Sequence, residues 1–245
     1  MDTGLEGRTV LITGASRNIG RRTAVMFAQE GANLAICTRR SMERLDQTAT
    51  EVERNGANVI TGRCDVADAN AVVSFVKRTC EEFGAVDVVV NNAVYRAEGN
   101  LLDETDEAWI RNIEVNLSGP YHICKNAVPY MIQRKWGRII NFSGISPYLG
   151  TFPGKSMVKL GIVGLTRGLA KQFGEHNITA NCVGPGRIDV ERDAYQKKKD
   201  FYKHQLIRRS GTPDEVASLV VYLASEKAGY ITGQCYLVNG GAYLQ

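Results

Sequence analysis

Thr13-Gly14-Ala15-Ser16-Arg17-Asn18-Ile19-Gly20 is the stretch that decides the fold of this chain. It follows an apolar, β-forming run at 8–13 and leads directly into an amphipathic run at 19–30. Glycines immediately after a first strand let the backbone turn sharply and come close to a pyrophosphate. The helix behind them then offers unpaired amides and the positive end of its dipole. A glycine turn alone can equally serve close packing. Its place at the first strand–helix junction is what points to a nucleotide.

Outward from that junction the chain repeats the same alternation. Short apolar runs at 33–38, 58–63, 86–90, 138–142, 178–183 and 235–238 read as strands. Longer amphipathic runs at 41–55, 69–83, 155–173 and 212–224 read as helices, and 107–135 as one long helix or a bent pair. Ser41 is a candidate N-cap. Pro213 suits a first helical position, with Asp214 and Glu215 placed to complement the dipole of the first turn. Near-continuous apolar strands alternating with helices imply a parallel sheet covered on both faces. The expected architecture is therefore α/β: a single Rossmann-type, doubly wound parallel sheet with helices on both faces, spanning residues 1–245. No linker, low-complexity tract or internal repeat divides it.

A chain of 245 residues is long enough for a sizeable core. Its 44% hydrophobic and 23% charged residues are ordinary for a globular protein. A net charge of +4 is too small to argue for nucleic acid. Residues 1–10 lack the apolar core of a signal peptide, and no apolar run approaches a membrane span. A cytoplasmic protein with no membrane partner is expected. The six cysteines include no C-x-x-C, and the three histidines show no ligand spacing. They read as reduced, mostly buried thiols without a metal site.

A second stretch bears on chemistry. Lys155-Ser156-Met157-Val158-Lys159 places two lysines one helical turn apart on one face. Two ammonium groups so close repel, and the pKa of at least one should fall. Such a lysine can donate a proton, act as a base or attack as a nucleophile. The alternative is a solvated helix end with two unrelated lysines.

Taken together, these residues resemble the short-chain dehydrogenases/reductases. That family's turn is T-G-x-x-x-G-x-G. Here Thr13, Gly14 and Gly20 match, and Asn18 stands at the middle glycine. Asparagine tolerates a positive φ better than other non-glycine residues. The resemblance runs from Gly7 to the C-terminus and implies roles for particular residues. Gly14, Ser16, Arg17, Asn18, Ile19 and Gly20 would hold the cofactor phosphates, and Asp65-Val66 would contact the adenine. Asn91-Asn92-Ala93 resembles the family's N-N-A-G, with Val94 in place of its glycine. Pro185, Gly186 and Ile188 fall in a P-G-x-I turn that holds the nicotinamide carboxamide. Thr232-Gly233-Gln234 and Gly240-Gly241 are similar to its C-terminal signature.

An acid at the end of the second strand would bind the adenine ribose of NAD. That strand ends Cys37-Thr38-Arg39-Arg40 instead. Guanidinium groups suit a phosphate dianion, so NADP(H) is favoured over NAD(H), with Arg39 better placed than Arg40. Both could also be surface residues that merely end the strand.

The resemblance further implies a Ser-Tyr-Lys set with a helper asparagine. Aligning Leu160-Gly161-Ile162-Val163-Gly164-Leu165-Thr166 makes Lys159 the family lysine, binding the nicotinamide ribose. Asn116 is the helper asparagine. The tyrosine position falls on Lys155, and the serine position on Gly144, next to Ser143. Ser143 or Ser146 would have to be re-aimed to serve. Three readings follow. A hydride-transferring enzyme acts on a small carbonyl or hydroxyl substrate with another proton donor, Lys155 or Tyr148. A non-redox, lyase-type enzyme uses Lys155 as an imine-forming amine. Or the protein binds a nucleotide without catalysis.

Residues 187–210 resemble the family's substrate lid. Arg192, Lys197, Lys198, Lys199, Lys203, His204, Arg208 and Arg209 would attract an acidic substrate there. Asp189, Glu191, Asp193 and Asp200 dilute that charge, and a solvated basic helix reads equally well. The resemblance also implies a homotetramer or homodimer packed through 107–135 and 155–173. The second of these is apolar nearly all round, which fits burial on several sides.

Overall fold

The structure is a computed structural model that describes residues 2–96, 100–191 and 205–244. In chain order β1 (Thr9–Thr13), α1 (Asn18–Gln29), β2 (Asn33–Thr38), α2 (Met42–Arg54), β3 (Val59–Arg63) and α3 (Ala69–Phe83) build the first half. The second half holds β4 (Val88–Asn91), α4 (Asp106–Ile113), α5 (Gly119–Arg134), β5 (Gly137–Phe142), α6 (Ser146–Leu149), α7 (Pro153–Phe173), β6 (Ile178–Pro185), α8 (Pro213–Ala224) and β7 (Cys235–Val238). The strands form one sheet in the order β3-β2-β1-β4-β5-β6-β7, and every pairing is parallel. The single doubly wound sheet expected from the alternation is what forms.

The sheet is buried because alternate residues of each strand feed two cores. Val10, Ile12, Leu34, Ile36, Val88 and Val90 pack on one face with Ala24 and Phe27 of α1 and Val216 and Val220 of α8. Leu11, Ala35, Val89 and Ile139 pack on the other with Phe75 of α3, Ile123 and Met131 of α5 and Leu169 of α7. Strands apolar on both sides need such a double cover. The chain winds outward from β1 to β3, then returns to place β4 beside β1. The carboxyl ends of β1 and β4 therefore flank the switch point, where open sheets of this kind bind ligands.

Several local expectations change. Ser41 occupies the N-cap of α2 but its side chain makes no capping bond. The caps that do form are at Asp68 for α3, Thr105 for α4 and a reciprocal Thr212–Glu215 box for α8. The strand expected at 86–90 is shifted to Val88–Asn91. The long 107–135 run is a bent pair: α4 passes through a π-helical turn at Glu114–Ser118 into α5. Residues before the last long helix include a short helix not expected from the sequence, α6, which carries Tyr148. Helix α7 buries Val158, Ile162, Val163 and Leu169, whereas Met157 and Leu160 are 63% and 57% exposed. Its apolar circumference is thus covered on only part of its surface within one chain. No described helix is long and apolar enough to cross a membrane.

Candidate active site

The phosphate-type turn is built by close backbone approaches. Gly14 has φ +68, and a Cβ there would lie 2.8 Å from the Cα of Ala93. A Cβ at Gly20 would lie 2.4 Å from the Gly14 carbonyl oxygen. Only glycine fits either place. The end of β4 clamps the turn: Asn92 Nδ2 donates to the carbonyls of Thr13 at 3.1 Å and Gly14 at 2.8 Å. The Ala93 amide donates to Thr13 Oγ1 at 3.1 Å. Arg17 is the N-cap of α1 with extended backbone, and Ile19 packs on the core below. Buried Ser16 accepts a hydrogen bond from Thr38 Oγ1 at 3.4 Å. A cradle that a single Cβ would fill, set at the start of a helix, fits a dinucleotide pyrophosphate.

Asn18 takes φ +54, a left-handed backbone that glycine adopts freely and asparagine tolerates. Its amide also does something a glycine cannot. Oδ1 accepts from the Glu191 amide at 2.9 Å while Nδ2 donates to the Glu191 carbonyl at 3.1 Å. The turn is thereby tied to the segment leaving β6.

At the end of β2, Arg39 and Arg40 are both exposed. Arg39 Nη1 lies 4.0 Å from Asp65 Oδ2, and the same oxygen accepts from Arg111 Nη2 at 2.5 Å. Burial, Arg40 and Arg111 lower the Arg39 pKa, against Asp65. The Asp65 carboxylate is therefore paired with guanidinium groups. Val66 is buried and supports α5, where a Cβ on Gly119 would meet its Cγ2 at 2.7 Å.

Lys159 and Asn116 come together. Lys159 Nζ donates to Asn116 Oδ1 at 3.4 Å and to the Phe142 carbonyl at 3.1 Å. Asn116, in the π-helical turn, donates through Nδ2 to the carbonyl of Tyr95 and to Asn112 Oδ1, each at 2.8 Å. A π-turn re-aims side chains that a regular helix would carry past. Burial lowers the Lys159 pKa to about 8, with Cys182 opposing and Lys155 adding a further lowering. Repulsion between the two lysines is present, but desolvation is the larger cause. Lys155 itself is half-buried at the start of α7.

Ser143 and Tyr148 belong to a separate group of contacts. Ser143 is buried, and its Oγ donates to the Gly144 carbonyl at 3.1 Å and lies 3.3 Å from Cys235 Sγ. The Tyr148 hydroxyl donates to Cys235 Sγ at 3.2 Å, and its ring packs on Tyr243. Burial, then Cys235, push the Tyr148 pKa well above its usual value. Gly186 is held against Asn239, where a Cβ would lie 2.7 Å from the Cα, and Ile188 is buried and bridges to Gly211. Of the basic segment, Arg192, Lys197, Lys198, Lys199, Lys203 and His204 lie outside the described residues. Among the described residues no cluster of His, Cys, Asp and Glu is large enough to hold a metal ion.

Arg111, Asn112, Cys182 and Cys235 support the site without having been singled out in the sequence. Asn112 does carry a local signal, one helical turn before Asn116. The other three act through partners distant in the chain, as the Arg111–Asp65 pair, 46 residues apart, shows.

Comparison with known proteins shows what the chain as a whole is similar to. A family model described as enoyl-(acyl carrier protein) reductase matches residues 14–243. The chain is 35% identical over 245 residues to a 3-oxoacyl-(acyl-carrier-protein) reductase of Staphylococcus aureus, covering 97% of this chain and 98% of the relative. It is 34% identical over 253 residues to a (2S)-((R)-hydroxy(phenyl)methyl)succinyl-CoA dehydrogenase subunit of Thauera aromatica, covering 98% of each. Among solved structures, levodione reductase superposes with a TM-score of 0.91 at 28% identity, covering 97% of this chain and 98% of that one. A Serratia marcescens short-chain dehydrogenase/reductase variant superposes with a TM-score of 0.89 at 31% identity, with the same coverage.

Proposed function

This chain belongs to the short-chain dehydrogenase/reductase family, and from that membership we propose that it is an NADP(H)-dependent oxidoreductase in which Lys155, not a tyrosine, handles the substrate proton. Hydride transfer with a nicotinamide cofactor is the family's chemistry, and the finer features are our reading. One observation carries it: Lys159 is buried on Asn116 and the Phe142 carbonyl with its pKa lowered to about 8, and Lys155 lies one turn away.

The turn at Gly14–Gly20 and the amides of α1 would hold the pyrophosphate. Asp65 and Val66 would border the adenine, and Asn92–Ala93 would fix the turn from the other side. Arg39, with Arg40 and Arg17 nearby, would take the 2′-phosphate, since Asp65 is already paired by Arg111. Pro185, Gly186 and Ile188 would line the nicotinamide end. When bound, the nicotinamide supplies or accepts the hydride. Lys159 binds and orients through its ammonium group, which Asn116 Oδ1 and the Phe142 carbonyl hold in place. Its positive charge favours release of a proton from Lys155 Nζ to the substrate oxygen. Tyr148 suits that task less well, because its hydroxyl proton is committed to Cys235 and its pKa is raised. Ser143 Oγ is likewise engaged with Gly144 and Cys235.

For substrate we propose an oxoacyl or hydroxyacyl thioester. Two relatives carry names describing an oxoacyl group on a carrier protein and a hydroxylated acyl-CoA. Arg187 and Arg208 border the segment that would cover such an acidic group, whereas Arg209 is already paired with Glu215. The test mixes purified protein with NADPH and acetoacetyl-CoA. Substrate-dependent loss of nicotinamide absorbance is expected. Borohydride trapping of a substrate adduct on Lys155 would instead favour a lyase-type amine, and cofactor binding without either would favour a nucleotide-binding protein.

A further inference from the structure

Beneath Ser143 lie two thiols that the proposed hydride chemistry does not use. Cys182 of β6 and Cys235 of β7 are register partners across a parallel pair. Adjacent strands run roughly 4.8 Å apart, within the roughly 4.4–6.8 Å between Cα atoms that suits a disulfide. In-register partners turn to the same face of the sheet, and both cysteines pack there with Ile162 and Val163 of α7. As register partners on one face, the two thiols are close enough for each to shift the other's titration.

The pair is asymmetric. Cys182 is fully buried and Cys235 only partly so. The more accessible sulfur also gathers polar neighbours: it accepts from the Tyr148 hydroxyl and lies 3.3 Å from Ser143 Oγ, with Cys182 beside it and the Arg167 guanidinium adding a favourable charge. Together these hold the Cys235 pKa below its usual value, while its bond to Cys235 and burial raise that of Cys182. A second pair, Cys37 and Cys64, provides a contrast within the molecule. Both are buried among apolar side chains of the opposite half of the sheet.

We propose that Cys182 and Cys235 form a dithiol oxidation site that reacts with hydroperoxides and closes to a disulfide. The Cys235 thiolate attacks the terminal peroxide oxygen. An S–O bond forms, the O–O bond breaks, and the departing oxygen takes up a proton as water or an alcohol. Cys182 then attacks the Cys235 sulfur of that sulfenic acid. The S–S bond forms, the S–O bond breaks, and water leaves with the Cys182 proton. Two thiols lose two electrons in total, and one hydroperoxide is reduced. Turning the Cys235 sulfur onto Cys182 draws it away from the Ser143 and Tyr148 hydroxyls, so oxidation alters the edge of the active site.

The test reads covalent structure and stands whether or not the proposed reaction is right. The full-length protein is treated with hydrogen peroxide, alkylated, digested without reduction and mapped by mass spectrometry. Expected are linked peptides containing Cys182 and Cys235, lighter by two hydrogens and separated by dithiothreitol. The Cys235 thiol should be lost at least about tenfold faster than that of Cys37. In Cys182→Ala, Cys235 should stop at a sulfenic acid that dimedone traps. In Cys235→Ser, the half-buried and milder change, Cys182 should stay reduced. Alkylation of both thiols after peroxide treatment, or a Cys37–Cys64 link forming first, would overturn the proposal. The wild-type map decides the question even if a variant does not fold.

Discussion

The half of the sheet that runs β3-β2-β1 and the half that runs β4-β5-β6-β7 each carry one residue beside the site, Asn18 and Lys155, where the family resemblance implies another, glycine and tyrosine. The first departure changes little. Asn18 takes a positive φ that glycine adopts freely, and the turn stays clamped by Asn92. On the proposed reading the second would change the chemistry, because a tyrosine hydroxyl and a lysine ammonium are different acids. The contrast has a physical basis. The nucleotide half would recognise its ligand mainly with backbone amides and close approaches, which survive a side-chain change that preserves φ. The chemical half depends on functional groups at the tips of side chains, and these do not survive replacement. The thiols divide in the same way: Cys37 and Cys64 fill core, whereas Cys235 collects polar partners.

The sharpest way to break this comparison is to attack the backbone itself. Gly20→Ala places a Cβ 2.4 Å from the Gly14 carbonyl, and a carbonyl in the strand-end turn cannot easily move aside. We expect NADPH binding to weaken by more than about 100-fold, with a loss of several kcal/mol in stability. Fluorescence titration and thermal melting measure both. Near-normal binding would mean the turn is less constrained than the contacts require. On the other side, Lys155→Met should reduce kcat by about 100- to 10,000-fold and leave the NADPH Kd within a few-fold. Lys155→Tyr should retain the Kd and restores the family's acid at that place. A rise in carbonyl reduction in that variant would mean the natural site has drifted from reductase chemistry.

What the sequence disclosed follows the same line. The sheet was legible because buried parallel strands and amphipathic helices write their periods into consecutive residues. The glycine turn was legible because one junction carries it. Lys159 and Asn116 were legible through short motifs around them, and the structure brings the two together. The Ser41 cap failed because a residue of the right type at the right place need not turn its hydroxyl inward. The helix bearing Tyr148 was hidden, since four residues carry no period. The pairing of Cys182 with Cys235 is not legible in the sequence, because it depends on strand register across 52 intervening residues, which no local pattern reveals. Exposure of Met157 and Leu160 was equally invisible, since composition tells how apolar a helix is and not which side has a neighbour.

Lys159 gives a test of the chemical half that does not require a substrate. Burial takes its pKa from an ordinary 10.5 to about 8, worth about 3 kcal/mol as an upper figure. Below about pH 8 both the folded and the unfolded chain carry this proton, and the folded chain bears the full desolvation cost. Between about 8 and 10.5 the unfolded chain binds more protons, so stability rises with pH over that window. Lys159→Met removes the group. Urea melts at neutral pH and at about pH 10 should show the wild type gaining up to about 3 kcal/mol relative to the variant. A pH-independent difference would show that Lys159 titrates normally. In the nucleotide half, Arg39→Ala is expected to weaken NADPH by about 10- to 100-fold and NADH by much less. Equal losses for the two cofactors would remove Arg39 from the 2′-phosphate.

The smallest expected effect sharpens the comparison most, because it separates the two things Asn18 does. Asn18→Gly keeps access to positive φ but removes the paired hydrogen bonds to Glu191. These bonds are exposed, and their loss should cost no more than about 1 kcal/mol. Asn18→Ala removes the same bonds and adds the penalty of a left-handed alanine, about 1 kcal/mol more. The difference between the two variants therefore isolates the backbone, and the difference between wild type and Asn18→Gly isolates the clasp. If the nucleotide half is governed by its backbone, NADPH affinity should follow the first difference and be almost blind to the second. Should Asn18→Gly alone weaken NADPH by tenfold or more, the side-chain clasp to Glu191 would be part of cofactor binding. The two halves of the sheet would then tolerate substitution no differently.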